Sequence, residues 1–208
     1  MGDGREMYQA VDDMAGAVAI DVGAHIGSYT LRMAKRFHQV VAFEPNPFNR
    51  HILGLNVRLN KATNVHVEDA ALSDQDEIGS FFIHRAADGT GSLNPHHYGF
   101  NYDKMIRVRT KRLDSFEYSR IDLLKIDAEG NELPILKGGT STIDRTRPIL
   151  AIEVHQARTA LGDSCKCETC VYLSSKNYDV AFLGEYTVTP VHWIIARPSQ
   201  TKARSRTN

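Results

Sequence analysis

Long hydrophobic runs are missing from this sequence. No stretch approaches the ~20 apolar residues of a membrane-spanning helix, and the apolar runs present are strand-sized, such as "AVAI" and "VVAF". Cysteine is scarce too: three occur, all inside "CKCETC" (Cys165, Cys167, Cys170), which excludes a secreted disulfide scaffold. Charge imbalance is also lacking. The 25 basic and 25 acidic side chains cancel and the pI is ≈ 7.1, so no global field draws the protein to nucleic acid or an anionic membrane. The first residues, "MGDGREMYQAVDDMAG", carry acids early and no apolar core, and do not read as a signal peptide. The expected location is the cytoplasm. With 208 residues, a chain can bury roughly 70% of its unfolded surface and fold without staples.

What is present is an alternation of strand and helix signals. "AVAID" (17–21) reads as a buried strand, and Ile26, Thr30, Met33 and Phe37 then recur on one helical face. "VVAFE" (40–44) is a second strand. Pro47 opens the next helix, where Phe48, Ile52, Leu55 and Leu59 step by four, three and four. Further strands are expected at "NVHVED" (64–69), "IDLLKID" (121–127), "PILAIEVH" (148–155), "YDVAFL" (178–183) and "VHWIIA" (191–196). "GSFFIH" (79–84) and "MIRVRT" (105–110) read as a strand pair around a long loop, and helices are expected before Gly138 and near 168–176. Apolar strands alternating with helices imply an α/β fold, with a mostly parallel seven-stranded sheet covered on both faces. The short link "GEYTVTP" makes the last two strands an antiparallel edge hairpin. Residues 1–196 are expected to form one domain. Residues 197–208 carry four basic and no acidic side chains and read as a disordered tail.

The first strand runs into "DVGAHIG", a glycine turn before a helix. Such a turn lets backbone approach a nucleotide-like ligand, and an acid after the second strand, here Glu44, suits ribose hydroxyls. NAD and S-adenosylmethionine sites share both features. A dinucleotide site wants G-x-G-x-x-G around its pyrophosphate, whereas only Gly23 and Gly27 are present, as G-x-x-x-G, with Asp21 in front. That loop suits a ligand without phosphates. A non-catalytic binding module and, less well, a nicotinamide oxidoreductase are the rival readings.

Six segments then carry a specific resemblance: "DVGAHIGSYT", "AFEPNP", "AALSD", "RLDSF", "LLKIDAEGNE" and "IEVH", in this order. Together they resemble the FkbM family of S-adenosylmethionine-dependent methyltransferases over residues 17–155. His25 stands where the family most often has Asn. The resemblance implies a Rossmann-like fold and transfer of a methyl group from S-adenosylmethionine to a hydroxyl of a small molecule, sugar or glycan; a nucleic-acid substrate is not expected. It implies that Asp21, Gly23, His25 and Gly27 surround the methionine end of the cofactor and that Glu44 holds the ribose. Asp69 and Ala70 fall at the adenine, where Glu68 or Asp74 are alternatives.

The catalytic candidates are Asp127, Glu129 and His155, because ligands bind beyond the carboxyl ends of strands in such sheets. The acids can face the sulfonium, accept a hydroxyl proton or hold a divalent metal that orients the hydroxyl. His155 is the candidate general base. Glu132 is read as a first-turn acid favoured by the helix dipole, and Lys125 as a salt-bridge partner two residues before Asp127. Residues 85–104, with His96, His97, Tyr98, Phe100 and Tyr102, suit acceptor binding. "CKCETC" supplies three thiolates, one short of a structural zinc site. A distant His155 or His192 could complete it, but without a second paired motif the cysteines read as ordinary reduced thiols, and no metal ligand is assigned.

Overall fold

The computed structural model describes residues 5–84, 90–95, 102–156, 166–184 and 191–199. Ten strands and six α-helices follow one another there. The strands are β1 (Gly16–Val22), β2 (Phe37–Phe43), β3 (Val65–Glu68), β4 (Ala70–Leu72), β5 (Glu77–Ile83), β6 (Lys104–Lys111), β7 (Leu123–Ile126), β8 (Ile149–Val154), β9 (Tyr178–Leu183) and β10 (His192–Pro198). The helices are α1 (Arg5–Asp12), α2 (Ser28–Met33), α3 (Pro47–Leu59), α4 (Glu132–Gly138), α5 (Thr140–Thr146) and α6 (Glu168–Ser175). Among the described residues no helix is long and apolar enough to cross a membrane.

Seven strands form one sheet in the order β3-β2-β1-β7-β8-β10-β9. Every pair from β3 to β8 is parallel, and β10 runs antiparallel to both β8 and β9. The expected edge hairpin therefore exists, but its second strand lies inside, between β8 and β9. Period-two alternation explains the layers. Ile20, Val41, Leu124, Leu150, Ile152 and Ile194 face α4, α5 and α6 through Leu136, Ile143 and Leu173. Ala19, Val40, Leu123, Ala151 and Ile195 face α1 and α2 through Met7, Val11 and Met33. Burying each large aliphatic side chain contributes about 1.5–3 kcal/mol, so strands apolar on both faces are what a doubly covered sheet requires.

A smaller sheet, β4-β6-β5, lies beside it. The β5–β6 pair is antiparallel as expected, while β4 joins β6 in parallel. Three sequence expectations need correcting. Helix α2 ends at Met33, and Phe37 is buried as the first residue of β2, so the four-three-four spacing spans a helix and the next strand. In α3, which Pro47 begins and the Asn46 side chain caps, the buried residues are Asn49 and Leu53. Phe48, Leu55 and Leu59 are exposed, because the helix rests on the small Ala24–Ala42 patch through Leu53. Finally, β10 continues to Pro198, and Ser199 bonds to Asn177 and Asp179, so the fold runs into the expected tail. Residues 200–208 lie outside the described residues.

Candidate active site

The carboxyl ends of β1, β2, β7 and β8 meet at one cleft. Its floor depends on Gly23, which has φ +74°, and a Cβ there would sit 1.7 Å from the Asp127 carbonyl oxygen. Gly23 and Ala24 donate their N–H groups to the Phe43 carbonyl, and Asp127 donates to that of Val22. The turn is thereby stitched to both neighbouring strands at the point where only glycine fits.

Just past β2, Glu44 is held by backbone. Its two carboxylate oxygens accept the N–H groups of His25 at 2.8 Å and Asn46 at 2.9 Å. Burial pushes its pKa up to about 7 against the pull of those two bonds. Each oxygen keeps a second lone pair for a ligand hydroxyl. Next to it the cavity wall is apolar, built from Phe43, Ala70, Ala71, Leu72, Phe81 and Leu93.

Opposite lies an acidic corner of Asp127, Glu129 and Glu153. Behind them His155 is almost fully enclosed. Its Nδ1 is 2.8 Å from Glu132, and its Nε2 is 3.4 Å from Glu129 and 3.9 Å from Glu153. Burial alone would lower its pKa, but Glu132, Glu129 and Asp127 raise it to about 9. The raised pKa favours the imidazolium at neutral pH, the form that lacks the lone pair a general base needs. Glu153 is driven the other way from an ordinary carboxylate: burial and the Asp127 charge raise it to about 7, despite His155, Trp193 and Lys125.

Lys125 is buried under the turn. Its ammonium is 3.2 Å from Asp21 and 3.6 Å from Asp127, donates to the Gly23 carbonyl at 3.2 Å, and lies over the Tyr29 ring. Burial lowers its pKa, yet the Asp21 and Asp127 carboxylates outweigh that and leave it above the ordinary value. Glu132 is fully buried and also accepts the Gly130 N–H at 2.9 Å. It is a partner of His155 rather than only an acid at a helix start.

Gly23, His25, Glu44, Ala70, Asp127 and Glu129 thus line one cavity of about 180 Å³. The other expected residues do not line it. Asp21 is fully buried, accepting from Thr30 Oγ1 at 2.6 Å and pairing with Lys125. Gly27 caps α2 with φ +101°. Asp69 pairs with Arg109 at the surface, and its alternatives Glu68 and Asp74 bond to His66 and Ser73. Glu153 was missed as a cavity residue, although two positions before His155 in a strand put both on one side.

Part of the expected acceptor loop is described. Gly91 and Leu93 reach the cavity, and between them buried Ser92 donates to the Glu129 carbonyl at 2.6 Å. Tyr102 packs against Phe82 and donates to the Asn94 carbonyl. His96, His97, Tyr98 and Phe100 lie outside the described residues, as does Cys165. Asp127, Glu153 and His155 bring one ligand atom each within 4.8 Å of one another, and so do Cys167, Cys170 and His192.

The methyltransferase FkbM domain model matches residues 21–180, which contain the glycine turn, Glu44 and the whole acidic corner. The chain belongs to this family. Among curated relatives, methyltransferase sdnD of Sordaria araneosa is 30% identical over 152 residues, covering 57% of this chain and 59% of that protein. The hexuronic acid methyltransferase AglP of Haloferax volcanii is 26% identical over 139 residues, 65% of this chain and 54% of that one. The chain thus spans little more than half the length of these relatives. In fold it is similar to an FkbM methyltransferase from Methylobacillus flagellatus, with TM-score 0.59 and 16% identity over 88% of this chain and 43% of that one. An rRNA methylase from Streptococcus thermophilus gives TM-score 0.53 at 12% identity, covering 93% and 94%. The FkbM membership and the seven-stranded fold agree with the sequence reading.

Proposed function

We propose that this FkbM domain is an S-adenosylmethionine-dependent O-methyltransferase acting in the cytoplasm on a hydroxyl of a small molecule, sugar or glycan. The observation that carries the reading is the Glu44 corner. A carboxylate fixed by two backbone N–H groups faces an apolar wall on one side and three acids on the other. Glu44 would hold the ribose hydroxyls, Ala70 and Leu72 the adenine, and the Gly23 turn the methionine end. A bound S-adenosylmethionine would supply an activated methyl group on a positively charged sulfur.

The chain's own residues supply the rest. Asp127 and Glu129 place negative charge beside the cleft and favour a cationic ligand. Glu153 takes over the role of proton acceptor from His155. A carboxyl ionising near 7 is matched to removing a hydroxyl proton at neutral pH, an effect worth roughly 10²–10⁴ in rate. His155, kept charged by Glu132, positions Glu153 and Glu129. Asp127, Glu153 and His155 could together hold a divalent ion, which would have to displace the His155 proton. The family resemblance and the sugar-acid substrate in the AglP name support the acceptor class.

Isothermal titration with S-adenosylmethionine, S-adenosylhomocysteine and NAD tests the cofactor. We expect micromolar binding of both sulfur ligands and none of NAD. In Glu44→Ala the loss of hydrogen bonds to a charged group, about 1.5–3 kcal/mol each, weakens binding at least tenfold. Binding of NAD alone would sink the reading, and cofactor binding without methyl transfer across a hydroxyl-acceptor library would leave a ligand-binding module.

A further inference from the structure

A second cluster of reactive side chains lies outside the cleft. Cys167 caps the N-terminus of α6, its sulfur accepting the Cys170 N–H at 3.5 Å, and Cys170 is in the first turn. His192 opens β10 opposite Val154 of β8. Its Nε2 is 3.8 Å from the Cys167 sulfur and 3.9 Å from the Cys170 sulfur, and all three side chains are buried. The sequence separates the histidine from the cysteines; the insertion of β10 beside β8 brings them together.

We propose that Cys167, Cys170 and His192 supply three of the four ligands of a zinc ion, the fourth position being left to a water or another donor. Two thiolates and one zinc ion carry no net charge, which removes the electrostatic cost of the buried site. With zinc–sulfur bonds of ≈ 2.3 Å and a zinc–nitrogen bond of ≈ 2.0 Å, a tetrahedral centre sets sulfur–nitrogen separations at about 3.5 Å. The observed separations need to contract by only a few tenths of an ångström. Sulfur and imidazole donors select zinc over magnesium or calcium, and the helix N-terminus favours both thiolates. Binding releases the two thiol protons to solvent. The ion ties the start of α6 to β10, one residue along β8 from His155, and so braces the acidic corner from outside.

Metal analysis of the untagged, full-length protein, purified without chelators, tests this. We expect about one zinc per chain, falling below about a tenth in Cys170→Ser and His192→Asn. Because loss of a buried ligand can unfold the chain, the unmutated protein provides the second measurement. Exchange with cobalt should produce thiolate-to-cobalt charge-transfer absorption, and mercurial titration of the thiols should release the zinc. A native protein that takes up no zinc from micromolar solution would overturn the assignment. So would a cobalt form without thiolate absorption, or a Cys167–Cys170 disulfide in protein isolated anaerobically.

Discussion

At the end of β2 a single carboxylate, Glu44, is fixed by two main-chain N–H groups; at the ends of β7 and β8 three cleft acids are fixed by other side chains. The first corner is a single carboxyl, raised by burial to about 7, whose geometry is set by strand and turn rather than by other charges. The second balances two cations, Lys125 and His155, against Asp21, Asp127, Glu129, Glu132 and Glu153. A backbone-held acid is well suited to unchanging recognition. A corner with more carboxylates than cations has its ionisation set by its neighbours, and moving one charge moves the others.

The sharpest way to break this comparison is to remove the shared charge from the acidic corner alone. Glu153→Gln should lower kcat by roughly 10²–10⁴, while affinity for S-adenosylhomocysteine, measured by titration calorimetry, stays within about threefold. In the unsubstituted protein kcat at saturating cofactor should rise with pH through about 7, where Glu153 ionises, and Glu153→Gln should abolish that rise although Glu44 still ionises in the same range. A rise centred near 9 would return the base role to His155.

The next effect is on stability. His155 ionises near 9 in the fold rather than 6.5, so the fold holds its proton more tightly, by roughly 3 kcal/mol. That stability is complete below pH 6.5 and lost as pH rises through 9. Denaturant midpoints should therefore fall over this window, and His155→Gln should remove most of that slope even if its baseline is lower. An unchanged slope would mean that Glu132 and Glu129 do not hold the proton.

The smallest effect is expected at Asp69. Its bond to Arg109 is an exposed ion pair, worth about 0–1 kcal/mol. Asp69→Ala should change cofactor affinity, measured by calorimetry, by less than about twofold. A tenfold loss would restore its reading as an adenine contact.

The sequence made the glycine turn, Glu44 and the seven main strands legible because each is a local pattern: a loop of fixed length, an acid after an apolar run, an uninterrupted strand. The outward turn of α3 was not legible, since Phe48, Leu55 and Leu59 look like a core face and only the narrow Ala24–Ala42 patch beneath decides otherwise. His155 read as a base because its ordinary pKa suits one. The three acids that charge it, Asp127, Glu129 and Glu132, form one short stretch more than twenty residues before it in the sequence. Asp21 reads from the sequence as a ligand residue because the Lys125 ammonium that pairs with it inside the sheet sits about a hundred positions away.

The placement of β10 between β8 and β9 has a consequence for the growing chain. During synthesis β8 emerges long before β10, so one of its edges stays without a hydrogen-bonded neighbour while α6 and β9 are being made. An open strand edge invites pairing with other chains, and its native partner arrives only after a slow, long-range closure. Released chains truncated before His192 should therefore depend on holdase chaperones, and chains that include β10 through Pro198 should lose that dependence.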